Sequence, residues 1–486
     1  MSLDPRDWKA MGVLARRMVD DMLEHQRTVR ERGPWRSVPP KVKARFAEPP
    51  PRTGMALEDV YEAFRRDILP YPTGNTHPRF WGWVMGTGSP TGMMAEMLAA
   101  GMNAHVAGYD QSAAIVERQV IAWLKALMDF PAEASGLLVS GGTAANLNGL
   151  LAARVARAGF DVREEGLHAG PPLTVYASTE THSWLAKACE TMGLGRRAWR
   201  KVPVDEHFRI DLDACRAMVE ADRAAGLRPF ALIGNVGTVN TGAVDDLEGM
   251  RALADELGLW LHLDGAFGAL AAWSESRALV AGQAQADSLA FDLHKWGYMP
   301  YEIGAVLTRD SSAQLDAFGA PRGANAPAYL QSSDEGLAAD TTYFADRGLQ
   351  LSRGFRALKA WMSMKEQGVD RIGAAIQANI EQARRLGERV RAESDLELLA
   401  PVSLNVVCFR YAPQGVEGAA LDELNRRILT ALQVRGIAVP SQTLLGGRFA
   451  LRVCITNHRT EIADLDALIE ATLALGREFA PEPERA

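Results

Sequence analysis

Long apolar runs are missing from this 486-residue chain. A bilayer-spanning helix needs about 20 consecutive apolar residues, and the most apolar candidate, 93–102, is interrupted by Glu96 and a glycine. Cysteine is scarce. Cys189, Cys215, Cys408 and Cys454 are scattered, with no CxxC pair and no metal-ligand spacing, which excludes a disulfide framework or a zinc-finger module. A reduced, cytoplasmic protein is expected. Basic charge is in deficit: 53 Lys and Arg face 60 Asp and Glu, giving a net charge of -7. With no Lys/Arg run to offset it, nucleic acid and anionic membranes are not the expected partners. The opening MSLDPRDWKAMG lacks the basic start and apolar stretch of a signal peptide. Neither GxGxxG nor the GK[ST] of a P-loop occurs where a phosphate site would be sought.

What is present is a large core. Hydrophobic residues make up 47% of the chain, enough for one large domain with smaller attachments. The start, to about Phe46, reads as helix. EPPPRTG (48–54) breaks it, and a further helix is expected over about 57–68. Helices are expected again over 92–103 and 113–128. Then short runs rich in β-formers alternate with helical stretches: GLLVS (136–140), TVYAS (174–178), FALIGN (230–235), LWLHLD (259–264), SLAFD (288–292) and GAVLT (304–308). Most lack polar alternation, which predicts strands buried on both faces of an α/β sheet. The stretch 322–340 reads as surface loop. A long helix is expected over about 349–367, leading into helical and strand segments that end near Phe479.

Four local patterns along the α/β part carry chemistry. SGGTAANLNGLLAAR (140–154) follows a strand and opens a helix. Gly141 and Gly142 permit close backbone approach, and Thr143 with the free helix N–H groups suits a phosphate; a tight turn with a threonine cap is the competing reading. STETHSW (178–184) puts His182 in a loop at a strand's carboxyl end, the ligand side of an α/β sheet. LHLDGAFG (261–268) ends a strand on Asp264, a carboxylate that needs a partner if buried. A protonated pyridine nitrogen would serve; an ordinary helix cap would also explain it. His262, on the same strand face, is expected to pack or support. SLAFDLHKWGYMP (288–300) places Lys295 among Leu293, His294 and Trp296. Desolvation there is expected to lower its pKa, which suits imine chemistry. A zinc site from His262, Asp264 and His294 competes with this reading, but no HExxH or comparable spacing supports it.

Helix N-terminus, imidazole, carboxylate and amine, in that order, resemble the group II pyridoxal-phosphate-dependent decarboxylases, the family of aromatic-L-amino-acid, glutamate and cysteine-sulfinate decarboxylases. The resemblance runs from HPRFWGWV (77–84) to LRVCITNHRT (451–460). It implies an aspartate-aminotransferase-like (fold type I) α/β enzyme with a mainly parallel central sheet flanked by helices. Residues 1–89 would form an N-terminal helical, dimerising segment, 90–365 the large cofactor domain and 366–486 a small C-terminal α+β domain.

The resemblance also implies roles. Lys295 bonds to pyridoxal 5'-phosphate as a Schiff base, Asp264 pairs with the pyridine nitrogen, and His182 stacks on the ring. Gly142 and Thr143 hold the phosphate, with Thr238 and His294 beside the cofactor. Tyr329, in APAYLQSSDEG (326–336), delivers a proton to Cα with His182 assisting. Relatives that act as aldehyde synthases often replace the loop tyrosine or the histidine. This chain keeps both, which favours simple decarboxylation. The implied small-molecule substrate is an L-amino acid, most readily an aromatic one, because Phe80, Trp81, Trp83, His105 and Tyr109 enrich the implied pocket, some from a neighbouring subunit in a homodimer. Ser352 stands where plant relatives with serine favour phenolic substrates. A decarboxylase of glutamate, aspartate or cysteine sulfinate, or an aromatic aldehyde synthase, is the alternative.

Overall fold

A computed structural model describes residues 2–319, 335–339 and 343–480. The chain opens with α1 (Trp8–Arg27), α2 (Pro40–Arg45), α3 (Leu57–Asp67), α4 (Pro90–Met102) and α5 (Ser112–Leu127). An α/β series follows: β1 (Ser135–Val139), α6 (Gly142–Arg157), β2 (Leu173–Ser178), α7 (Trp184–Thr191), β3 (Trp199–Val202), α8 (Leu212–Ala224), β4 (Arg228–Asn235), α9 (Leu247–Glu256), β5 (Trp260–Asp264), β6 (Ser288–Asp292), β7 (Gly304–Thr308) and α10 (Ser311–Phe318). The remainder is α11 (Ala357–Gln367), α12 (Val369–Ala392), β8 (Leu396–Leu398), β9 (Val406–Tyr411), α13 (Gly418–Val434), β10 (Ser441–Leu445), β11 (Arg448–Cys454) and α14 (Ile462–Phe479). Among the described residues, no helix is long and apolar enough to cross a membrane.

The first seven strands form one sheet in the order β1-β7-β6-β5-β4-β2-β3. β7 runs antiparallel to both β1 and β6, and the other neighbours are parallel. Six strands therefore end at the same edge, where an α/β sheet presents its ligand crevice. β1, β2, β5, β6 and β7 are buried along their whole length, as continuous apolar runs require of strands covered on both faces. β3 was not evident in the sequence: WRKV is a half-buried edge strand, so its polar residues mask it.

The second sheet, β10-β11-β9-β8, is antiparallel throughout. Its core takes in Trp81, which is 1% exposed. The Trp81 amide donates to Val439 O at 2.9 Å, and its indole donates to Thr460 Oγ1 at 3.1 Å. Phe80 bridges Val439 and is likewise buried. These two rings are therefore core rather than pocket, and they pin the 79–84 segment onto the second sheet.

The expected helix from 349 is shorter than its pattern suggests, starting only at Ala357. The reason is Arg353. Its guanidinium is buried, donating to Val106 O and Leu138 O at 2.8 and 2.7 Å and pairing with buried Glu117. Its backbone carbonyl accepts from Val106 N at 2.8 Å, a cross-link that local helix formation would forfeit.

Candidate active site

The ends of β1, β2, β4, β5 and β6 enclose a cavity of about 400 Å³. α6 begins on one wall, with Gly141 at its N-cap and no side chain capping it. Thr143 is thus not the cap, and the first helical N–H groups are left for an anion. The glycines are needed for space: a Cβ on Gly142 would stand 2.9 Å from Asp292 Oδ2, and one on Gly141 3.0 Å from the His294 ring.

Asp264 ends β5 and lines the cavity, with Oδ2 accepting from Trp184 Nε1 at 2.6 Å and Oδ1 from Ala266 N at 3.1 Å. Both donors are neutral, so the carboxylate retains acceptor capacity for a cationic one. His182 lines the wall nearby; its Nδ1 accepts from Trp184 N at 3.2 Å. Burial lowers its pKa, against the pull of Asp264, so the neutral ring carries its proton on Nε2.

Lys295 also lines the cavity, its Nζ 2.8 Å from Asp292 Oδ2. The expected lowering of its pKa does not occur. Burial pulls it down, but the charge and hydrogen bond of Asp292, with lesser help from Asp264, raise it overall. Asp292 is 1% exposed and its Oδ1 has no partner among the described residues. Sequence reading passed over it because an acidic residue ending an apolar strand looks ordinary; its three-residue spacing to Lys295 was the available signal. His294 is held through Nδ1, which stands 2.9 Å from Ile303 O and 3.2 Å from Ile303 N, and its ring tilts against Tyr301 at 4.4 Å between centroids.

The other expected residues divide. Gly142, Thr143, His182, Asp264, His294, Lys295 and Trp83 come together around the cavity. Thr238 stands behind its wall, its Oγ1 3.0 Å from Thr241 Oγ1 where it closes a tight turn, while neighbouring Gly237 and Val239 face the cavity. His105, Tyr109 and Ser352 do not line it. His105 and Ser352 are exposed, and Tyr109 packs edge-on against Tyr343. Tyr329 lies outside the described residues. His262 has Nδ1 2.7 Å from Ser288 Oγ and Nε2 2.8 Å from Asn146 Oδ1, so neither nitrogen is free for a metal.

Arg452 was also missed. Buried on β11, it donates to Trp83 O at 2.8 Å and Asn240 O at 3.0 Å, joining the second sheet to two cavity segments. Its Nη2 has no partner among the described residues.

These groups fit pyridoxal phosphate: an uncapped helix start behind a glycine turn for the phosphate, a carboxylate for the ring nitrogen, an imidazole for its face and an amine for its aldehyde. Comparison with known proteins agrees. Residues 39–412 match the family described as the pyridoxal-dependent decarboxylase conserved domain. The chain is 32% identical to an aromatic-L-amino-acid decarboxylase of Bacillus atrophaeus, over 99% of this chain and 98% of that one. It is 27% identical to tryptophan decarboxylase 2 of Oryza sativa subsp. japonica, over 98% and 97%. The Oryza sativa TDC crystal structure with PLP and tryptamine shares the fold, with a TM-score of 0.89 at 24% identity, covering 99% of this chain and 100% of that one. The chain belongs to the pyridoxal-dependent decarboxylase family and is an amino acid decarboxylase whose cofactor is pyridoxal 5'-phosphate.

Proposed function

We propose that the protein decarboxylates an aromatic L-amino acid to its amine and CO2, as a cytoplasmic homodimer. The observation that carries this reading is the composition of one cavity: Lys295, Asp264 and the bare start of α6, walled by Trp83, Phe267 and Trp184. Aromatic walls suit an aromatic side chain. An acidic side chain is poorly served. Among the described residues, no arginine lines the cavity, and its one lysine is paired with Asp292 beside a second carboxylate, Asp264.

When bound, pyridoxal phosphate supplies the sink for the electron pair of the breaking Cα–carboxylate bond. The chain does the rest. The α6 N–H groups with Gly142 and Thr143 would hold the phosphate end, Asp264 would accept from the ring nitrogen, and Lys295 would supply the amine for the covalent link. His182 presents its Nε2 proton and orients the ring. We assign delivery of the proton to Cα to Tyr329, on its match to the family loop. His294 supports the cofactor beside Lys295, and Thr238 acts from behind the wall through Gly237 and Val239.

Dimerisation is supported by exposed apolar surface. None of the 20 residues of α1 is fully buried, and Trp8, Val13, Leu23, Met97, Leu98 and Met102 are exposed. We read residues 1–89 as the dimerising segment, 90–365 as the cofactor domain and 366–486 as the small domain. The patch of His105, Tyr109 and Ser352 then completes the partner's cavity. Four free, buried cysteines suit a reducing compartment.

The test is an amino-acid panel read by CO2 release and product identity. Tyrosine, phenylalanine, tryptophan or DOPA are expected to yield CO2 and amine. Turnover confined to glutamate, aspartate or cysteine sulfinate contradicts the aromatic assignment. Aldehyde with hydrogen peroxide makes the protein an aldehyde synthase, and a keto acid makes it an aminotransferase.

A further inference from the structure

Trp184 touches both cofactor-facing groups that come from β2 and β5. It opens α7 two residues after His182. Its main-chain N–H donates to His182 Nδ1 at 3.2 Å, while its indole N–H donates to Asp264 Oδ2 at 2.6 Å. The ring is 3% exposed and meets His262 edge-on, with 6.0 Å between centroids and 76° between planes.

What lies behind the indole is rigid. The Trp260 indole donates to Ser288 Oγ at 2.8 Å. The Ser288 hydroxyl then donates to His262 Nδ1, and His262 Nε2–H to Asn146 Oδ1. Burial holds the His262 ring neutral, with its pKa at about 4. Gly149 makes room for that ring, since a Cβ there would lie 2.6 Å from it. Trp184 is therefore backed by a ring that cannot turn without breaking two buried hydrogen bonds.

A carboxylate left alone rotates about its last bond. Here the indole takes one oxygen and the Ala266 amide the other, which fixes the carboxylate plane and leaves acceptor capacity toward the cavity. We propose that Trp184 is a positioning residue: it sets the Asp264 carboxylate against the cofactor's pyridine nitrogen, and through its main chain it sets the His182 ring. This rests on the roles given to Asp264 and His182 above.

Trp184→Phe keeps an aromatic ring and removes the N–H; Trp184→His returns a ring N–H in a smaller frame. The measurement is the pyridoxal phosphate dissociation constant of the apoenzyme, followed by the visible absorbance of the bound cofactor. It is made for the unaltered chain, W184F, W184H, D264N and W184F/D264N, with the apoenzyme melting temperature of each. The expected result is about tenfold weaker binding in W184F, the size of a lost hydrogen bond to a charged group, with a displaced absorbance band and little change in melting temperature. W184H recovers part of the loss. In the D264N background, W184F weakens binding less than about twofold, because the indole acts through the carboxylate.

An unaltered W184F overturns the proposal while leaving the Asp264 role standing. So does an equal weakening by W184F in both backgrounds, which is the mark of packing alone. If W184F does not fold, W184H carries the same cycle against D264N, and equal losses in both backgrounds again overturn the proposal. D264N with unchanged affinity and band overturns the Asp264 role, and the proposal with it.

Discussion

Lys295 Nζ lies 2.8 Å from Asp292 Oδ2, so the amine that must bond to the cofactor is held as an ammonium by a carboxylate three residues before it. Burial alone would favour the free amine, but Asp292 outweighs it. Attack on an aldehyde requires the unprotonated form. Asp292→Asn removes the opposing charge and lets burial prevail, lowering the Lys295 pKa. The pH at which apoenzyme begins to form its covalent, visibly absorbing complex with pyridoxal phosphate is expected to fall. An unchanged onset in a folded variant would show that Asp292 does not govern Lys295.

The buried His262 ties acid stability to the cofactor site. Its folded pKa is about 4 because burial disfavours the charged ring, against an ordinary value of 6.5. Between these values the unfolded chain binds more protons, so stability rises with pH through this window. The contribution is fully present above about pH 6.5 and is lost as pH falls through about 4, roughly 3 kcal/mol in all. His77, also buried and held at about 4 mainly by that burial, acts in the same direction. In His262→Gln the drop in melting temperature between pH 7 and pH 5 is expected to shrink. An undiminished drop would mean His262 does not report acid unfolding.

Much of this arrangement was legible because its signals are local. Six strands showed as apolar runs ending in Ser, Thr, Asn or Asp; Asp264 closes one such run, and His182 and Lys295 follow two others within four residues. What escaped depends on distant contacts. β3 looked polar because it is an edge. The 349–356 stretch looked helical because the cross-link of Arg353 to Val106, Leu138 and Glu117 has no sequence pattern. The desolvated setting of Lys295 was readable, but the stronger opposing effect of Asp292 was not weighed. Thr238 lies in a loop beside the cavity, yet the folded turn directs its hydroxyl to Thr241, a contact with no sequence pattern.

Gly86 exemplifies a contact that sequence does not disclose. A Cβ there would fall 1.9 Å from His294 O and 2.5 Å from Lys295 O, both main-chain atoms with little freedom to retreat. Gly86→Ala should therefore displace the backbone that carries Lys295, costing about 1–3 kcal/mol and reducing cofactor occupancy. Gly54→Ala, where nothing lies within 4 Å, is the control and should leave both unchanged. Melting temperature and absorbance after reconstitution check this, and equal behaviour of the two variants would contradict it.

The exposed apolar face of α1 makes assembly testable. Trp8→Glu with Val13→Glu places two charges on surface that the proposed dimer buries. Sedimentation is expected to show a dimer for the unaltered chain and a monomer for this variant, with decarboxylation reduced at least about tenfold because the partner no longer completes the cavity. A variant that remains dimeric and active would place the interface elsewhere.

The central claim is that Lys295, in the cavity it shares with Asp292 and Asp264, bonds to the cofactor. Borohydride reduction of the holoenzyme followed by peptide mass mapping tests it directly. The account predicts loss of the visible band and a reduced pyridoxyl group on Lys295, absent from Lys295→Ala treated identically. A label on another lysine, or a Lys295→Ala protein that keeps the borohydride-sensitive band, would contradict it.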